Sequence, residues 1–289
     1  MNIGYIGLGK MGSGMVARLT EHGHTVTSYD PSGTGTVQDL TGLVSSLPTP
    51  RTIWIMVPSG AVDTVLHDLT PLLTPNDTII DGGNSHYTDT VRRSDELTRV
   101  GIHFLDVGVS GGPNGARSGA CLMIGGERAD YDLLESLWKD LSVEQGFAYV
   151  GGHGAGHFVK MVHNGIEYGM MQAIAEGFAV MKASPYDLNL TSIANIYNRG
   201  SVIESHLIKW LHEGFEQYGE NLSDITGVVA HTGEGEWTIE AARAVNVPVP
   251  IIEGSLQFRK DSEGHPSYTG KVLSLLRAMF GGHNARTNG

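Results

Sequence analysis

Cysteine is almost absent from this chain of 289 residues, which contains a single thiol at Cys121. One cysteine cannot form an internal disulfide, so the chain does not belong among disulfide-stapled secreted domains. Cys121 lies in an apolar run over residues 120–124 that is typical of a strand, and we expect its thiol to be buried and unreactive. This cysteine usage favours a reducing compartment, the cytoplasm.

Long apolar runs and basic charge are scarce as well. No run approaches the ~20 residues that a membrane-spanning helix needs, and because residues 1–6 already have the pattern of a strand, we expect no targeting peptide. With 19 basic against 31 acidic side chains, the net charge is −12. We therefore expect neither nucleic acid nor a membrane as partner, and an anionic ligand must be bound by a local cluster of cations.

Metal-binding and nucleophile motifs are missing too. The 13 histidines include no His-Glu-x-x-His and no Cys/His spacing suited to zinc, so we expect no metal site. The segment over residues 108–112, which contains Ser110, differs from the Gly-x-Ser-x-Gly of serine hydrolases. Both a metalloenzyme and a serine hydrolase are thereby disfavoured.

Seven short apolar runs alternate with amphipathic stretches in the first half of the chain. They cover residues 3–6, 24–29, 52–57, 78–81, 102–105, 121–124 and 147–150. Strands separated by helical segments indicate βαβ units and a parallel sheet. We predict an α/β protein whose N-terminal domain, residues 1–153, is a Rossmann-type doubly wound parallel sheet.

The second half of the chain has helical periodicity. An uninterrupted helix is expected over residues 157–182, and further helical stretches are expected over 189–211, 237–245 and 268–280, before a polar tail. We predict an all-helical C-terminal domain over residues 154–289, which binds substrate and joins subunits.

A nucleotide-binding motif follows the first predicted strand. Its glycines permit a tight turn and the close approach of a pyrophosphate to a helix N-terminus. The motif consists of Gly7, Leu8, Gly9, Lys10, Met11 and Gly12. Asp30 ends the second predicted strand, where its carboxylate can accept hydrogen bonds from the adenosine ribose. We also expect Val57, Pro58 and Asn84 to contact the cofactor.

The choice between NAD and NADP depends on charge. A carboxylate at Asp30 repels a 2′-phosphate, and residues 31–36 offer no arginine to receive one. NAD is therefore favoured over NADP.

Four polar side chains share one face of the long predicted helix, at a spacing of three, four and seven residues. They are Lys160, His163, Asn164 and Glu167. A polar stripe is usually a solvated face, but this helix is apolar nearly all round, which is typical of a buried helix. Four buried polar groups are costly unless they line a cleft. We interpret them as catalytic, because a lysine can act as general base in the oxidation of a hydroxyl and a carboxylate can act as acid in a later step.

Several segments carry a family resemblance. Residues 156–169 closely resemble the signature helix of 6-phosphogluconate dehydrogenases, within the wider β-hydroxyacid dehydrogenase superfamily. Residues 81–85 and 106–117 resemble two further segments of that family, and residues 233–238 and 280–283 resemble motifs of its short members. The resemblance covers nearly the whole chain.

The resemblance implies the oxidative decarboxylation of 6-phosphogluconate, or of a close 6-substituted gluconate, to a pentulose 5-phosphate or its analogue, with NAD. Lys160 would take the proton of the C3 hydroxyl, and Glu167 would protonate the enediol. The residues implied to hold the carboxylate and the hydroxyls are Asn84, Ser110, Gly111, Gly112, His163, Asn164 and Tyr168. Arg259 is implied to bind the phosphate, and His283 to reach the active site of a neighbouring subunit in a homodimer or homotetramer.

Glu236 departs from the family pattern, because members usually place Lys or Arg just before the tryptophan of this segment. A carboxylate near the distal group of the substrate penalises a dianionic phosphate. Either the substrate carries another group, as in 6-sulfogluconate or unphosphorylated gluconate, or a second cation such as Lys260 or Lys209 compensates.

Two other functions remain as alternatives. The first is a relative acting on a smaller acid such as 3-hydroxyisobutyrate, although such relatives generally lack the counterparts of His163, Glu167 and Tyr168. The second is a non-catalytic dinucleotide-binding protein, which the intact Lys160 and Asn164 disfavour.

Overall fold

The computed structural model describes residues 1–231, 233–282 and 285. The chain forms two compact units, Met1–Lys160 and Met161–Gly289. Among the residues described, no helix is both long and apolar enough to cross a membrane.

The first unit contains one sheet of seven strands. They are β1 (Asn2–Ile6), β2 (Thr25–Tyr29), β3 (Thr52–Ile55), β4 (Thr78–Asp81), β5 (His103–Ser110), β6 (Ala120–Gly126) and β7 (Ser142–Gly151). The helices between them are α1 (Lys10–Glu21), α2 (Leu40–Ser45), α3 (Ser59–Leu69), α4 (Tyr87–Thr98), α5 (Gly112–Ser118), α6 (Arg128–Leu133) and α7 (Glu135–Leu141), with a 3-10 turn at Thr70–Leu72. All seven predicted strands are confirmed.

The strand order is β2-β1-β3-β4-β5-β6-β7. The chain reverses direction along the sheet between β1 and β3, and such switch points are where open α/β sheets bind ligands, outside the carboxyl ends of the strands. Alternate side chains pack to opposite faces: Tyr5 and Trp54 join one buried cluster, whereas Ile6 and Ile53 join another. The sheet is therefore covered on both faces, and the predicted doubly wound class is confirmed.

One pair of strands corrects the prediction of a parallel sheet. β5 and β6 are antiparallel, with Leu105 opposite Gly126 and Ser110 opposite Cys121. A parallel crossover needs roughly a dozen residues or more, and the connection through the seven-residue α5 is too short to return over the sheet. The chain therefore turns back directly.

The second unit is helical wherever its elements are described. Helix α8 (Ala155–Ala183) leads into it, followed by α9 (Leu190–Tyr197), α10 (His206–Tyr218), α11 (Glu234–Ala244), α12 (Pro250–Asp261) and α13 (Tyr268–Gly281). The helix expected over residues 189–211 is interrupted between α9 and α10, where Gly200 has a left-handed φ of 81°. Helix α12 was not predicted.

Two expectations about burial were wrong. Cys121 is exposed, because strand alternation places it on the opposite face from the buried Ala120 and Leu122. Helix α8 is not buried all round: Ile166 is 55% and Met170 45% exposed in this single chain. The polar stripe of α8 is partly buried, whereas some of its apolar residues are exposed, so the polarity of the side chains alone does not predict which face of this helix is exposed.

Candidate active site

The glycine motif forms the turn between β1 and α1. Gly7 has a φ of 98°, which favours glycine, and a Cβ on Gly12 would lie 2.0 Å from the carbonyl oxygen of Gly7. A Cβ on Gly9 would meet nothing within 4 Å. The first and third glycines are therefore required by packing, while the second leaves open space beside the N-terminus of α1, where a pyrophosphate fits.

Asp30 follows β2 and contacts this turn. Its Oδ2 accepts a hydrogen bond from the Leu8 N–H at 2.6 Å, and its Oδ1 accepts from the N–H of Ser32 at 2.8 Å and from the Ser32 hydroxyl at 2.5 Å. The Leu8 and Ser32 hydrogen bonds lower the pKa of the Asp30 carboxyl. The carboxylate is thus ionised and held beside the glycine turn.

The turns after β3 and β4 lie at the same edge of the sheet. Val57 and Pro58 follow β3 and precede α3. Asn84 is exposed in the turn after β4. Buried Asp81 fixes that turn by accepting hydrogen bonds from the Gly83 N–H at 3.0 Å and the Ser85 hydroxyl at 2.8 Å. The structure therefore brings the predicted cofactor residues of the first unit to one edge.

The carboxyl end of β5 supplies the next group. Ser110 is half-buried, and Gly111 and Gly112 follow with φ angles of 126° and 60°. Lys160, the last residue of the first unit, packs against β5, since a Cβ on Gly108 would lie 2.4 Å from the Lys160 Cβ. Lys160 is itself half-buried.

The remaining polar residues of α8 belong to the second unit. His163 Nδ1 lies 3.1 Å from Asn164 Oδ1 and 3.9 Å from Glu167 Oε2. All three side chains are partly exposed. With Lys160 one turn earlier, their spacing puts them on one face of the helix, which carries an amine, an imidazole, an amide and a carboxyl group.

Arg259 on α12 is almost completely buried, at 1% exposure. Its guanidinium carbon lies 3.5 Å from the ring centroid of Tyr168, and its Nε has no hydrogen-bond partner among the residues described. Burial, with a smaller contribution from neighbouring Arg277, lowers the pKa of Arg259 to about 10, although Tyr168 and Glu167 oppose the change. A buried guanidinium with a vacant donor is suited to an anion.

Arg277 is a second buried arginine near Arg259, and the sequence analysis did not include it among the candidate site residues. It is 9% exposed on α13, and burial lowers its pKa as well. The signal was available, because Arg277 is the one charged residue in a helical stretch over residues 272–280 that is otherwise apolar except for Ser274. A charge in such a position is costly unless a partner or ligand neutralises it.

Glu236 contacts the ammonium group of Lys260, which lies on the neighbouring helix α12. This hydrogen bond lowers the pKa of Glu236. The two residues close one end of a groove between α11 and α12, and Arg243 and Glu253 pair at 3.2 Å at the other end. Lys209 pairs instead with Glu213 at 3.8 Å. Lys260 is therefore the cation beside Glu236.

His283 lies outside the residues that the structure describes. Nearby, Ala285 is buried in the core of the second unit, and its carbonyl accepts a hydrogen bond from the Thr226 N–H at 2.8 Å.

A doubly wound sheet with this glycine turn and an ionised acid after β2 defines a dinucleotide-binding oxidoreductase. Residues 2–151 match the model of the NAD binding domain of 6-phosphogluconate dehydrogenase, and residues 156–271 match that of the 6-phosphogluconate dehydrogenase C-terminal domain. The chain belongs to the 6-phosphogluconate dehydrogenase family, as the sequence predicted.

Individual relatives agree with this assignment. The YqeC protein of Bacillus subtilis, provisionally named as a 6-phosphogluconate dehydrogenase, is 43% identical over 98% of both chains. The NAD-dependent, decarboxylating 6-phosphogluconate dehydrogenase of Haloferax volcanii is 40% identical over 98% of both chains. The structure of Plasmodium falciparum 6-phosphogluconate dehydrogenase, studied with NADP and with 6-phosphogluconate, has a TM-score of 0.79 and 26% identity over 97% of this chain and 70% of that one.

Proposed function

We propose that this protein oxidises and decarboxylates 6-phosphogluconate, or a close 6-substituted gluconate, with NAD. The observation that supports this best is the face of α8 that carries Lys160, His163, Asn164 and Glu167 on successive turns. We assign to these residues a base, an acid and two orienting groups for one sugar acid, all carried by one helix. The Haloferax relative is named as an NAD-dependent, decarboxylating 6-phosphogluconate dehydrogenase, which is the reaction proposed for this chain.

The reaction uses the chain's residues in two stages. Bound NAD would supply the hydride acceptor for C3, and Lys160 takes the proton of the C3 hydroxyl as the hydride leaves. The resulting 3-keto acid breaks its C1–C2 bond and releases carbon dioxide, and Lys160 returns its proton to the C3 oxygen as the enediol forms. Glu167 then protonates C2 while Lys160 takes back the proton of the C3 oxygen, which gives the pentulose with its carbonyl at C3. Each proton is moved by a positioned side chain.

The other residues hold the substrate in this proposal. Asn84, Ser110 and the Gly111-Gly112 turn bind the carboxylate and hydroxyls together with His163 and Asn164. Buried Arg259, which lies over the ring of Tyr168, binds the distal anionic group, because its Nε has no acceptor among the described residues and can donate to an oxygen.

NAD is the proposed cofactor rather than NADP. The ionised Asp30 is held beside the glycine turn and repels a 2′-phosphate while accepting from ribose hydroxyls. Its two oxygens already accept hydrogen bonds from Leu8 and Ser32, which fixes the carboxylate before the cofactor arrives.

The first test measures NADH and carbon dioxide with 6-phosphogluconate, 6-sulfogluconate, gluconate and 3-hydroxyisobutyrate as parallel substrates, each with NAD and NADP. Fast turnover of 6-phosphogluconate with NAD and carbon dioxide supports the proposal. Turnover of another acid but not of 6-phosphogluconate would mean that the substrate differs from that of the family, as Glu236 in place of Lys or Arg suggests. A protein that turns over none of them contradicts the proposed function and favours a non-catalytic nucleotide-binding protein.

Lys160→Met provides the second test. We expect turnover to fall at least about a thousandfold, because general base catalysis contributes roughly 10²–10⁴, while NAD binding, measured by calorimetry, stays within about twofold. Lys182→Met is the matched control, since Lys182 lies at the other end of the same helix and contacts Asn221. Undiminished turnover by Lys160→Met rules out the mechanism.

The protein also forms a homodimer or homotetramer in this proposal. Helix α8 has an exposed stripe at a spacing of seven, four, three, four and three residues, a pattern suited to helix packing. The stripe consists of Val159, Ile166, Met170, Ala173, Gly177 and Val180. Apolar surface of this kind is typical of a subunit interface. We keep His283 as a residue donated to a neighbouring subunit.

We propose that the functional domains divide between residues 153 and 154, ahead of the first turn of α8. The cytoplasm is the compartment, because the single exposed thiol at Cys121 suits a reducing environment.

A further inference from the structure

Strand β5 presents three alternate residues to one side of the sheet. Side chains two residues apart on a strand share a face, so Asp106, Gly108 and Ser110 form one row along β5. The first of them lies at the start of α8 and the second lies against Lys160.

Asp106 caps the N-terminus of α8. Its carboxylate is fully buried and accepts hydrogen bonds from the Gly154 N–H at 2.8 Å and from the His157 N–H at 2.9 Å. The first N–H groups of a helix have no partner within the helix, and a negative charge at this end is stabilised by the helix dipole. A side chain of β5 therefore holds the first turn of α8 from outside the helix.

Glycines let this first turn touch the sheet. A Cβ on Gly156 would lie 2.4 Å from the Asp106 carbonyl oxygen, and a Cβ on Gly125 would lie 2.6 Å from the Gly156 nitrogen. The helix thus packs backbone against backbone on β5 and β6. Such contacts cannot be made by any residue with a side chain, so the helix has little freedom to slide.

One turn later, Lys160 packs on Gly108. A Cβ added to Gly108 would lie 2.4 Å from the Lys160 Cβ and 2.9 Å from the Gly156 carbonyl oxygen. The cap at Asp106 and the gap at Gly108 fix the same helix at two points one turn apart, and Ser110 continues the row towards the end of β5.

We infer that Asp106 is a positioning residue for the reaction: through its cap on α8 it sets where Lys160 stands along β5. This inference rests on the proposed role of Lys160 as base. A displacement of about 1 Å in a catalytic group can cost on the order of a hundredfold in rate, so loss of the cap should lower kcat more than it weakens NAD binding.

The test compares Asp106→Ala and Asp106→Asn with Asp77→Asn. Asp77 is a matched control, because it is also a buried carboxylate that accepts from two backbone N–H groups, those of Arg51 and Thr74. We expect kcat to fall at least about tenfold in Asp106→Ala and less in Asp106→Asn, which keeps one acceptor, with the KM for NAD within about twofold. Amide hydrogen exchange at Gly154 and His157 should accelerate in the same order, and Asp77→Asn should change neither.

The assay uses whichever acid the wild-type protein oxidises. If the wild-type protein oxidises another acid but not 6-phosphogluconate, this result contradicts the proposed substrate and leaves the role of Asp106 testable. A kcat within about twofold of wild type in Asp106→Ala, with faster exchange at Gly154 and His157, overturns the inference, because the cap would then be lost without effect on the base.

If Asp106→Ala does not fold, Gly108→Ala provides a second test of whether the position of Lys160 along β5 limits kcat. It keeps the Asp106 carboxylate and pushes Lys160 away from β5, so kcat should again fall at least about tenfold. Gly4→Ala is its control, since a Cβ there would lie 2.8 Å from Leu47 Cδ1 in a crowded strand away from α8. Equal losses in the two alanine variants contradict the inference.

Discussion

Arg259 carries a charge in a place where burial makes charge costly. No residue in the described part of the chain accepts a hydrogen bond from its Nε. An anion bound there would satisfy this donor and raise the Arg259 pKa from its lowered value of about 10. We expect Arg259→Met to raise the KM for the sugar acid by about tenfold to a hundredfold, because hydrogen bonds to charged groups contribute about 1.5–3 kcal/mol. Initial rates measured against acid and NAD separately provide the check.

The control for Arg259→Met is Arg243→Met, which removes an exposed arginine paired with Glu253. Only the buried arginine should affect the acid. An equal rise in the KM for NAD would show that Arg259 supports the fold instead of the ligand.

Glu236 and Lys260 form an ion pair that is more than two-fifths exposed on both sides. We expect Glu236→Gln to lower the KM for 6-phosphogluconate by roughly twofold to fivefold, because exposed pairs are worth about 0.2–1 kcal/mol and the substitution frees a cation while removing an anion. Gluconate, which lacks the phosphate, should be unaffected. Glu253→Gln, at the other end of the groove, is the matched variant, and the same gain there would point to net charge alone.

At the scale of elements, Asp77 ties the starts of β3 and β4 together. Its side chain is 1% exposed and pairs with Arg51 at 2.9 Å. Burial alone would raise its pKa, but hydrogen bonds from the Arg51 and Thr74 N–H groups and from the Arg51 guanidinium outweigh burial, and the pKa is lowered. A carboxyl with a lowered pKa in the folded state stabilises the protein above its unfolded pKa of about 3.9 and loses that effect as pH falls below it.

We therefore expect Asp77→Asn to cost about 1.5–3 kcal/mol at neutral pH and progressively less below about pH 4. Thermal melts of both proteins across this range measure the difference. A gap in Tm that stays constant down to the lowest pH would mean that the carboxylate charge contributes nothing.

Elements with strong local signals were predictable. The seven strands and α8 follow from apolar runs and helical spacing, and the glycine turn follows from residues 7–12. The antiparallel pairing of β5 and β6 follows from the short length of α5, which the periodicity of apolar residues does not show. Helix α12 was not predicted, although Pro250 begins it and a turn precedes it. Whether Cys121 is buried or exposed depends on which face of β6 the rest of the chain covers, and the apolar run alone does not show this.

The candidate site was predictable to the same extent. Spacing on one helix groups Lys160 with Asn164 and Glu167. Arg277, and the pairing of Glu236 with Lys260, depend on contacts between helices that are distant in sequence. Such tertiary contacts do not follow from a local pattern.

For the whole molecule, the exposed stripe on α8 leads to a prediction about assembly. Ile166→Asp should convert the oligomer to folded monomer, because it places a charge in an apolar interface. Sedimentation velocity with circular dichroism measures both mass and fold. Val245→Asp, which changes a 67% exposed residue at the end of α11, is the control. A monomeric wild type, or the same mass for both variants, contradicts the proposal.

The contact between Gly12 and Gly7 has a consequence for how descendants of this protein diverge. Since any Cβ at position 12 would collide with the Gly7 carbonyl, purifying selection on folding alone retains that glycine, even in a duplicate gene that has lost its reaction. Position 160 faces a gap at Gly108 that accepts the Cβ of every amino acid with a side chain, so this contact does not require a lysine there. Among paralogues, the glycine fingerprint therefore records common ancestry, and the residue at position 160 records whether catalysis has been kept.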